Sequence, residues 1–309
     1  ELDSTLFYGN ITPVNKDRKL AITINTYGED VESVGYKIRS LEDKSLIENT
    51  EVSGYQVTDN KINVTLNIKN LLDTGKEYAL EVVLKTKKHD AVYYYTRIMY
   101  GTDYDLQKKL DFVRDFNACT FDSARLKDIG GYLETSSVGD NTNYGKVNIN
   151  CSLSQIGWGD LEPYIESEIT PEIISINDDV AIIRLDYRVG AANDYSSSDT
   201  YNVNEYYRIR QTNSGFYLLN FEREMNQVFD AKNDLTSSAK INLGINSSTY
   251  VNCTSDEKGI YTYFVNQGSL WCFSSSSQTF TRVFSFRGEE TDSVREDYDA
   301  HNIKIMKIE

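Results

Sequence analysis

Residues 180–229 read VAIIRLDYRV (180–189), a polar loop, YNVNEYYRIRQ (201–211), a TNSG turn (212–215) and FYLLNFEREMNQVF (216–229). In the first run Ala181, Ile183, Leu185, Tyr187 and Val189 share one face, with Arg184, Asp186 and Arg188 on the other. The second sets Tyr201, Val203, Tyr207 and Ile209 against Asn204, Tyr206, Arg208 and Arg210. The third sets Tyr217, Leu219 and Phe221 against Asn220 and Glu222. A period of two in three successive runs predicts an antiparallel sheet with one face on a core. Strands of roughly nine to eleven residues exceed the usual length of about five or six.

The whole chain has 309 residues, 39% of them apolar and 26% charged, which suits two or three folded domains. Its 23 tyrosines beside only 3 prolines point to a β-rich, surface-exposed protein. A net charge of -15 repels phosphate backbones, so no nucleic-acid partner is expected. No run of eighteen apolar residues is present, so no membrane span is expected within this stretch. The chain opens at Glu1 without an initiator Met or signal peptide. It is therefore expected to be a piece of a longer exported protein, with any membrane anchor outside it. Cys119, Cys151, Cys253 and Cys272 are too few and too dispersed for a disulfide scaffold, and none stands in a CxxC pair. Four buried thiols are the simpler expectation, with Cys119–Cys151 and Cys253–Cys272 the conceivable bridges. Neither a metal nor another cofactor is expected.

The first hundred residues predict about seven short strands, among them LAITINTY (20–27), SVGYKIRS (33–40), SLIENTEV (45–52), KINVTLNI (61–68), YALEVVLKT (78–86) and AVYYYTRIM (91–99). That spacing argues for an antiparallel sandwich over residues 1–102. Within it, Leu71-Leu72-Asp73-Thr74-Gly75-Lys76-Glu77-Tyr78 resembles the entry to strand F of fibronectin type III domains. The resemblance implies a tyrosine corner, with the Tyr78 hydroxyl bonded back to the loop. The family's core Trp is missing, which leaves Tyr36 or Ile38 in that place.

MYGTDYD (99–105) leaves only a short joint before a helix whose apolar stripe is Leu106, Leu110, Val113 and Phe116 or Cys119. A second helix is expected over about residues 122–133, then a strand KVNINCSL (146–153) and the three long strands. Two helices followed by a curved antiparallel sheet resemble the NTF2-like (cystatin-like) α+β family over residues 103–230. The resemblance implies a conical pocket in which enzymes of the family place an Asp/His or Tyr/Asp pair. The only histidines, His89 and His301, lie outside this segment, which removes histidine chemistry from it. The acidic residues of the long strands fall on the arginine-rich face, except Glu205. Glu205 and its inward neighbours Tyr187 and Tyr207 are therefore the candidate ligand-binding residues. Trp158, between two glycines, suits either an aromatic platform for a sugar ring or a plug closing the cone.

Residues 231–309 predict a β-meander: YVNC (250–253), IYTYFVNQG (260–268), SLWCFSSSS (269–277) and FTRVFSF (280–286). The Asp256-to-Gly259 turn and Gly268-Ser269-Leu270-Trp271 resemble a β-propeller blade, which implies the start of a propeller. The acidic run 288–292 reads as a solvated loop without the order of a calcium-binding EF-hand.

The fold class expected is thus multidomain and mainly β with one α+β domain. It comprises an Ig/fibronectin-like β-sandwich, an NTF2-like domain and a C-terminal β-meander or partial β-propeller. Such an assembly suits a non-catalytic binding or scaffold protein at the outside of a bacterial cell, with a small-molecule, glycan or protein partner. The alternatives are a hydrolase using pocket carboxylates and the ligand-sensing ectodomain of a membrane-anchored protein.

Overall fold

The computed structural model describes residues 2–101, 104–192, 198–231, 236–237, 240–243, 251–286 and 302–308. The chain is mainly β, with several separate sheets and one segment that carries helices. It divides into two compact units, one formed by Glu1–Glu134, Ile169–Leu185 and Glu205–Glu222, the other by Thr135–Glu168, Asp186–Asn204 and Arg223–Glu309.

The first unit opens with eight strands: β1 Ile11–Val14, β2 Lys19–Asn25, β3 Val31–Ser40, β4 Leu46–Glu51, β5 Gln56–Thr58, β6 Lys61–Asn67, β7 Glu77–Thr86 and β8 Val92–Tyr100. They form one sheet in the order β1-β8-β7-β3-β4 and another in the order β2-β6-β5, with β1 parallel to β8. Alternation decides what meets between them. On β6 Ile62, Val64 and Leu66 are buried while Lys61, Asn63, Thr65 and Asn67 are exposed. Those residues join Leu20 and Ile24 from β2 and Val34, Tyr36, Ile38, Leu80, Val82 and Leu84 from the other sheet in one core. The Tyr78 hydroxyl accepts the Asp73 N–H at 2.8 Å, closing the loop before β7 as the resemblance implied.

Two carboxylates, Glu48 and Glu81, are buried among these eight strands, and both are bonded. Glu48 accepts from the Lys69 N–H (2.9 Å) and the Thr50 hydroxyl (2.8 Å). The Tyr36 hydroxyl divides its one proton between Glu48 (2.7 Å) and the Asn67 carbonyl (2.8 Å). Glu81, on the opposite face of β7, accepts from Arg39 (2.8 Å) and from the Ser4 hydroxyl (2.6 Å). Ser4 belongs to a short 3₁₀ turn, Ser4–Leu6, that Asp3 caps with its side chain.

Helix α1, Leu106–Thr120, buries Val113, Phe116 and Cys119 as its periodicity predicts, and also Lys109 and Asn117, which it does not. The joint before it includes residues 102 and 103, which lie outside the described residues. The second expected helix is a 3₁₀ turn, Leu126–Tyr132, instead. The physical reason is local. Gly130 and Gly131 cost an α-helix about 1 kcal/mol each, and the Asp122 carboxylate bonds the Ala124 N–H rather than starting a longer ladder.

The remaining elements through the long strands are β9 Lys146–Asn148, α2 Leu153–Ile156, β10 Tyr164–Ile165, β11 Thr170–Ile176, β12 Val180–Ala192, β13 Ser198–Thr212 and β14 Gly215–Gln227. Their sheet has the order β10-β12-β13-β14-β9, with β11 also paired to β12. The predicted strand KVNINCSL shrinks to β9, because Ser152 accepts the Gln155 N–H at 3.2 Å and starts a helical turn. A Ser-x-x-Gln spacing carries that signal. The three long strands run 13, 15 and 13 residues, longer than expected. On β12 the inward set Ala181, Ile183, Leu185, Tyr187 and Val189 is as predicted. On β14 it is not. Leu218 is buried and Tyr217 exposed, yet further along Phe221, Arg223 and Met225 are buried. The inward parity changes between Leu218 and Phe221, as an extra residue in a strand makes it do.

The second unit ends with a hairpin, β15 Thr236–Ser237 and β16 Lys240–Ile241, and a sheet of β17 Cys253–Ser255, β18 Tyr261–Asn266, β19 Ser269–Ser274 and β20 Thr279–Ser285 in sequential order. Phe229 packs edge-on against Phe264 (5.6 Å), Trp271 (4.8 Å) and Phe280 (5.6 Å). The described residues form no closed barrel or propeller. The acidic run 288–292 and His301 lie outside the described residues. All four cysteines are free, but they are not all buried: Cys253 is exposed and Cys272 half-buried. Cys253 lies opposite Phe264, which lies opposite Trp271, so Cys253 and its neighbour-but-one strand's Cys272 occupy opposite faces. That geometry forbids a bridge.

Two outcomes are expected from this arrangement. Unfolded protein without reductant should take up four equivalents of a thiol reagent, while native protein should react first at Cys253. Fewer than four equivalents after unfolding would mean disulfides. The second concerns Tyr36, whose burial, followed by its bond to Glu48, pushes its ionisation above the ordinary value of 10.0. The fold favours the neutral hydroxyl. Its contribution is therefore complete below about pH 10 and is lost as pH rises toward the raised folded value. Melting curves from about pH 8 to about pH 12 should show a smaller alkaline loss in Tyr36→Phe than in the wild type; equal losses would contradict the assignment.

Candidate functional site

Glu205 and Tyr207 are two residues apart on β13 and so share its inward face. Helix α1 supplies Phe116 and Asn117 opposite them. Glu205 has 0% exposure, and its Oε2 accepts from the Asn117 amide at 2.8 Å and the Tyr207 hydroxyl at 2.6 Å. Around this group Phe116 meets Tyr207 edge-on at 5.6 Å, and Phe221 lies 5.4 Å from Phe116 and 5.2 Å from Tyr207. A carboxylate in aromatic surroundings is costly without donors, and the amide and the hydroxyl supply them. Chemically the cluster is a polar tie between a helix and a sheet. An acid catalyst would instead need substrate access to the carboxyl oxygens.

Tyr187 and Trp158 fall in the second unit. Tyr187 is 5% exposed and on the inward face of β12, as its parity requires. Trp158 is 1% exposed, so it is a packed residue and offers no open platform for a sugar. Its backbone is left-handed (φ 68°), and so is that of Gly159 (φ 52°), where a Cβ would stand 2.2 Å from the Tyr144 hydroxyl. This turn lays the indole 3.3 Å beneath the Arg223 guanidinium. Arg223, itself wholly buried, donates to the carbonyls of Ile156 (2.9 Å) and Gln155 (3.0 Å). These are the last carbonyls of α2, which a cation at a helix C-terminus satisfies. Tyr144 donates to Asp160 at 3.0 Å, and burial followed by that bond raises its ionisation.

The sequence brings Glu205 and Tyr207 to attention correctly as neighbours but misses Asn117, Lys109 and Arg223. A signal for each exists. Lys109 and Asn117 flank the helical stripe at Leu106, Val113 and Phe116, and Arg223 has the parity of Phe221. Their charge or polarity argues for the outer face until a partner is known. Lys109 has one: its ammonium donates to the carbonyls of Tyr104 (2.6 Å), Asn177 (2.6 Å) and Asp178 (2.9 Å), stapling the turn before β12 to the start of α1.

On the outer face the charged residues find several kinds of partner, an arginine–carboxylate pair among them. Asp186 accepts from Asn204, Glu224 lies 3.3 Å from Lys146, Arg184 lies 2.6 Å from Glu172 on β11, and Arg210 covers the Tyr217 ring at 5.4 Å. Among the described residues no group of three or more His, Cys, Asp or Glu could hold a metal ion, and no helix is long and apolar enough to cross a membrane. Comparison with protein-family models and with curated proteins finds no match.

Lys109→Met keeps the length of the side chain and removes its donors. Leaving buried carbonyls unpaired costs about 1–3 kcal/mol each, so a stability loss of about 3 kcal/mol or more is expected from denaturant unfolding. A loss below about 1 kcal/mol would show that the staple is dispensable.

Proposed function

We propose that this chain is a non-catalytic binding or scaffold protein of the bacterial cell envelope, working outside the cytoplasm. The observation that carries the proposal is the state of Glu205. This acid of the long strands is fully buried, and its Oε2 accepts from Asn117 and Tyr207. The alternative, a hydrolase, requires carboxylates that converge on a substrate.

The arrangement of the first eight strands supports a fibronectin type III-like module as the first part. One sheet holds β1-β8-β7-β3-β4 and the other β2-β6-β5, with the Tyr78 corner between them. Helix α1 packing Phe116 onto Tyr207 and Phe221 supports an NTF2-like second part. The sequential sheet β17–β20 supports a propeller-like blade as the third. In this reading the modules hold a recognition surface away from the cell, and a membrane anchor lies outside the chain. The sensing-ectodomain alternative would place a small ligand against the inward aromatic residues of the long strands.

Glu205→Gln tests the proposal. The variant should lose about 1–2 kcal/mol of stability, because one of the two donors to Oε2 then faces an amide. Background hydrolysis of nitrophenyl glycosides and esters should match the wild type. Abolition of a measurable wild-type turnover by this substitution would overturn the non-catalytic reading.

A further inference from the structure

The outer face of the sheet β2-β6-β5 carries a groove at its β5 edge. Strands β2 and β6 pair along their full lengths, from Lys19 opposite Asn67 to Asn25 opposite Lys61. Strand β5 pairs with β6 only from Gln56 opposite Asn63 to Thr58 opposite Lys61. Before Gln56 the chain leaves this sheet, since the Val52 N–H already bonds the Val34 carbonyl of the other one. A groove of about 710 Å³ lies where β5 departs, between β2, β6 and the segment Ser53–Gln56. That volume is within the range of about 300–1,000 Å³ that holds small ligands.

Backbone direction adds to its polarity. The carbonyl of Asn60 and the N–H of Ile68 point toward the β2 side, where they bond Thr26 and Arg18. Alternation therefore turns Thr65 toward the side that β5 has vacated. Thr23, Asn63, Thr65, Asn67 and Gln56 bring hydroxyls and amides to the groove, beside the apolar Ala21, Ile22 and Val64. The half-buried Tyr55, which also packs against the core, brings an aromatic ring. The Thr23 hydroxyl bonds the Asn63 carbonyl oxygen at 2.9 Å, which fixes that amide and leaves its two N–H donors for another partner. None of the eleven lining residues is Asp, Glu, Lys or Arg, although these make up 26% of the chain. Lysines stand only at the ends of the face, Lys19 beside Asn67 and Lys61 beside Asn25.

We infer that this groove is a binding site for an uncharged carbohydrate. A sugar hydroxyl both donates and accepts, which is what amide and hydroxyl side chains answer, and an aromatic ring suits the C–H face of a pyranose. An anion would find no cation within the groove, and an apolar ligand would strand its amides. The vacated edge, two residues long at Thr65 and Asn67, is too short to recruit another strand. The inference rests on the reading of the chain as a binding protein but does not involve Glu205.

Calorimetric titration of the full chain with cello-, malto- and chito-oligosaccharides, and with heparin-derived oligosaccharides as charged probes, tests it. At least one neutral oligosaccharide should bind at millimolar concentration or below. Asn63→Ala should weaken that binding by about tenfold, as loss of a ligand hydrogen bond does. Thr65→Lys, at an exposed position, should block the groove while the melting temperature stays that of the wild type. Absence of binding by every neutral probe, tighter binding of heparin fragments, or binding unaffected by both substitutions would overturn the site. The Glu205→Gln activity comparison would stand unaffected by any of these results.

Discussion

Helix α1 is tied to its surroundings by polar contacts near both of its ends, and the order of the first unit's second half depends on them. Near the start, the Lys109 ammonium gathers three carbonyls, two of them from the turn that launches β12. Near the end, Asn117 reaches Glu205 on β13. Between the two, Val113 and Phe116 supply the apolar burial that drives association. Apolar contact alone would allow the helix to slide or rotate by part of a turn at small cost. Buried donors and acceptors do not allow it, because each displaced group would lose its partner in a medium that cannot replace it.

The second unit uses the same device with an arginine. Arg223 stands on the inward face of a strand, where an apolar residue is the ordinary choice, and its planar head bonds two carbonyls while resting on Trp158. Lysine could not do this, having neither the fork nor the flat face. The left-handed turn at Trp158 and Gly159 is what brings the indole beneath the guanidinium. Here strain in the backbone, aromatic stacking and the capping of α2 are one structure, so the short helix and the turn after it depend on a side chain 67 residues downstream of Ile156.

The buried carboxylates Glu48, Glu81 and Glu205 and the buried cations Lys109 and Arg223 are engaged inside the protein, whereas the groove beside β6 turns its amides and hydroxyls to the outside. This contrast separates holding from binding. Glu48, Glu81 and Glu205 each accept from at least two donors in the chain itself. Asn63, by comparison, has its oxygen fixed by Thr23 and its nitrogen directed away from the core.

The sequence by itself determined the strands and their inward faces wherever alternation was unbroken. On β12 and β6 a period of two told which residues would be buried, since side chains on a strand have only two directions to point. It also placed the sequential strands of the C-terminal sheet, because tight turns are local. Only the tertiary structure decided the parity change on β14, where Tyr217 is exposed and Leu218 buried although Phe221, Arg223 and Met225 are the buried set further along. It alone decided that Cys253 is exposed and that Lys109, Asn117 and Arg223 belong inside. A polar side chain is stable in the interior only when its partners are present, and those partners lie between about 65 and 90 residues away in the chain. No local pattern contains that information.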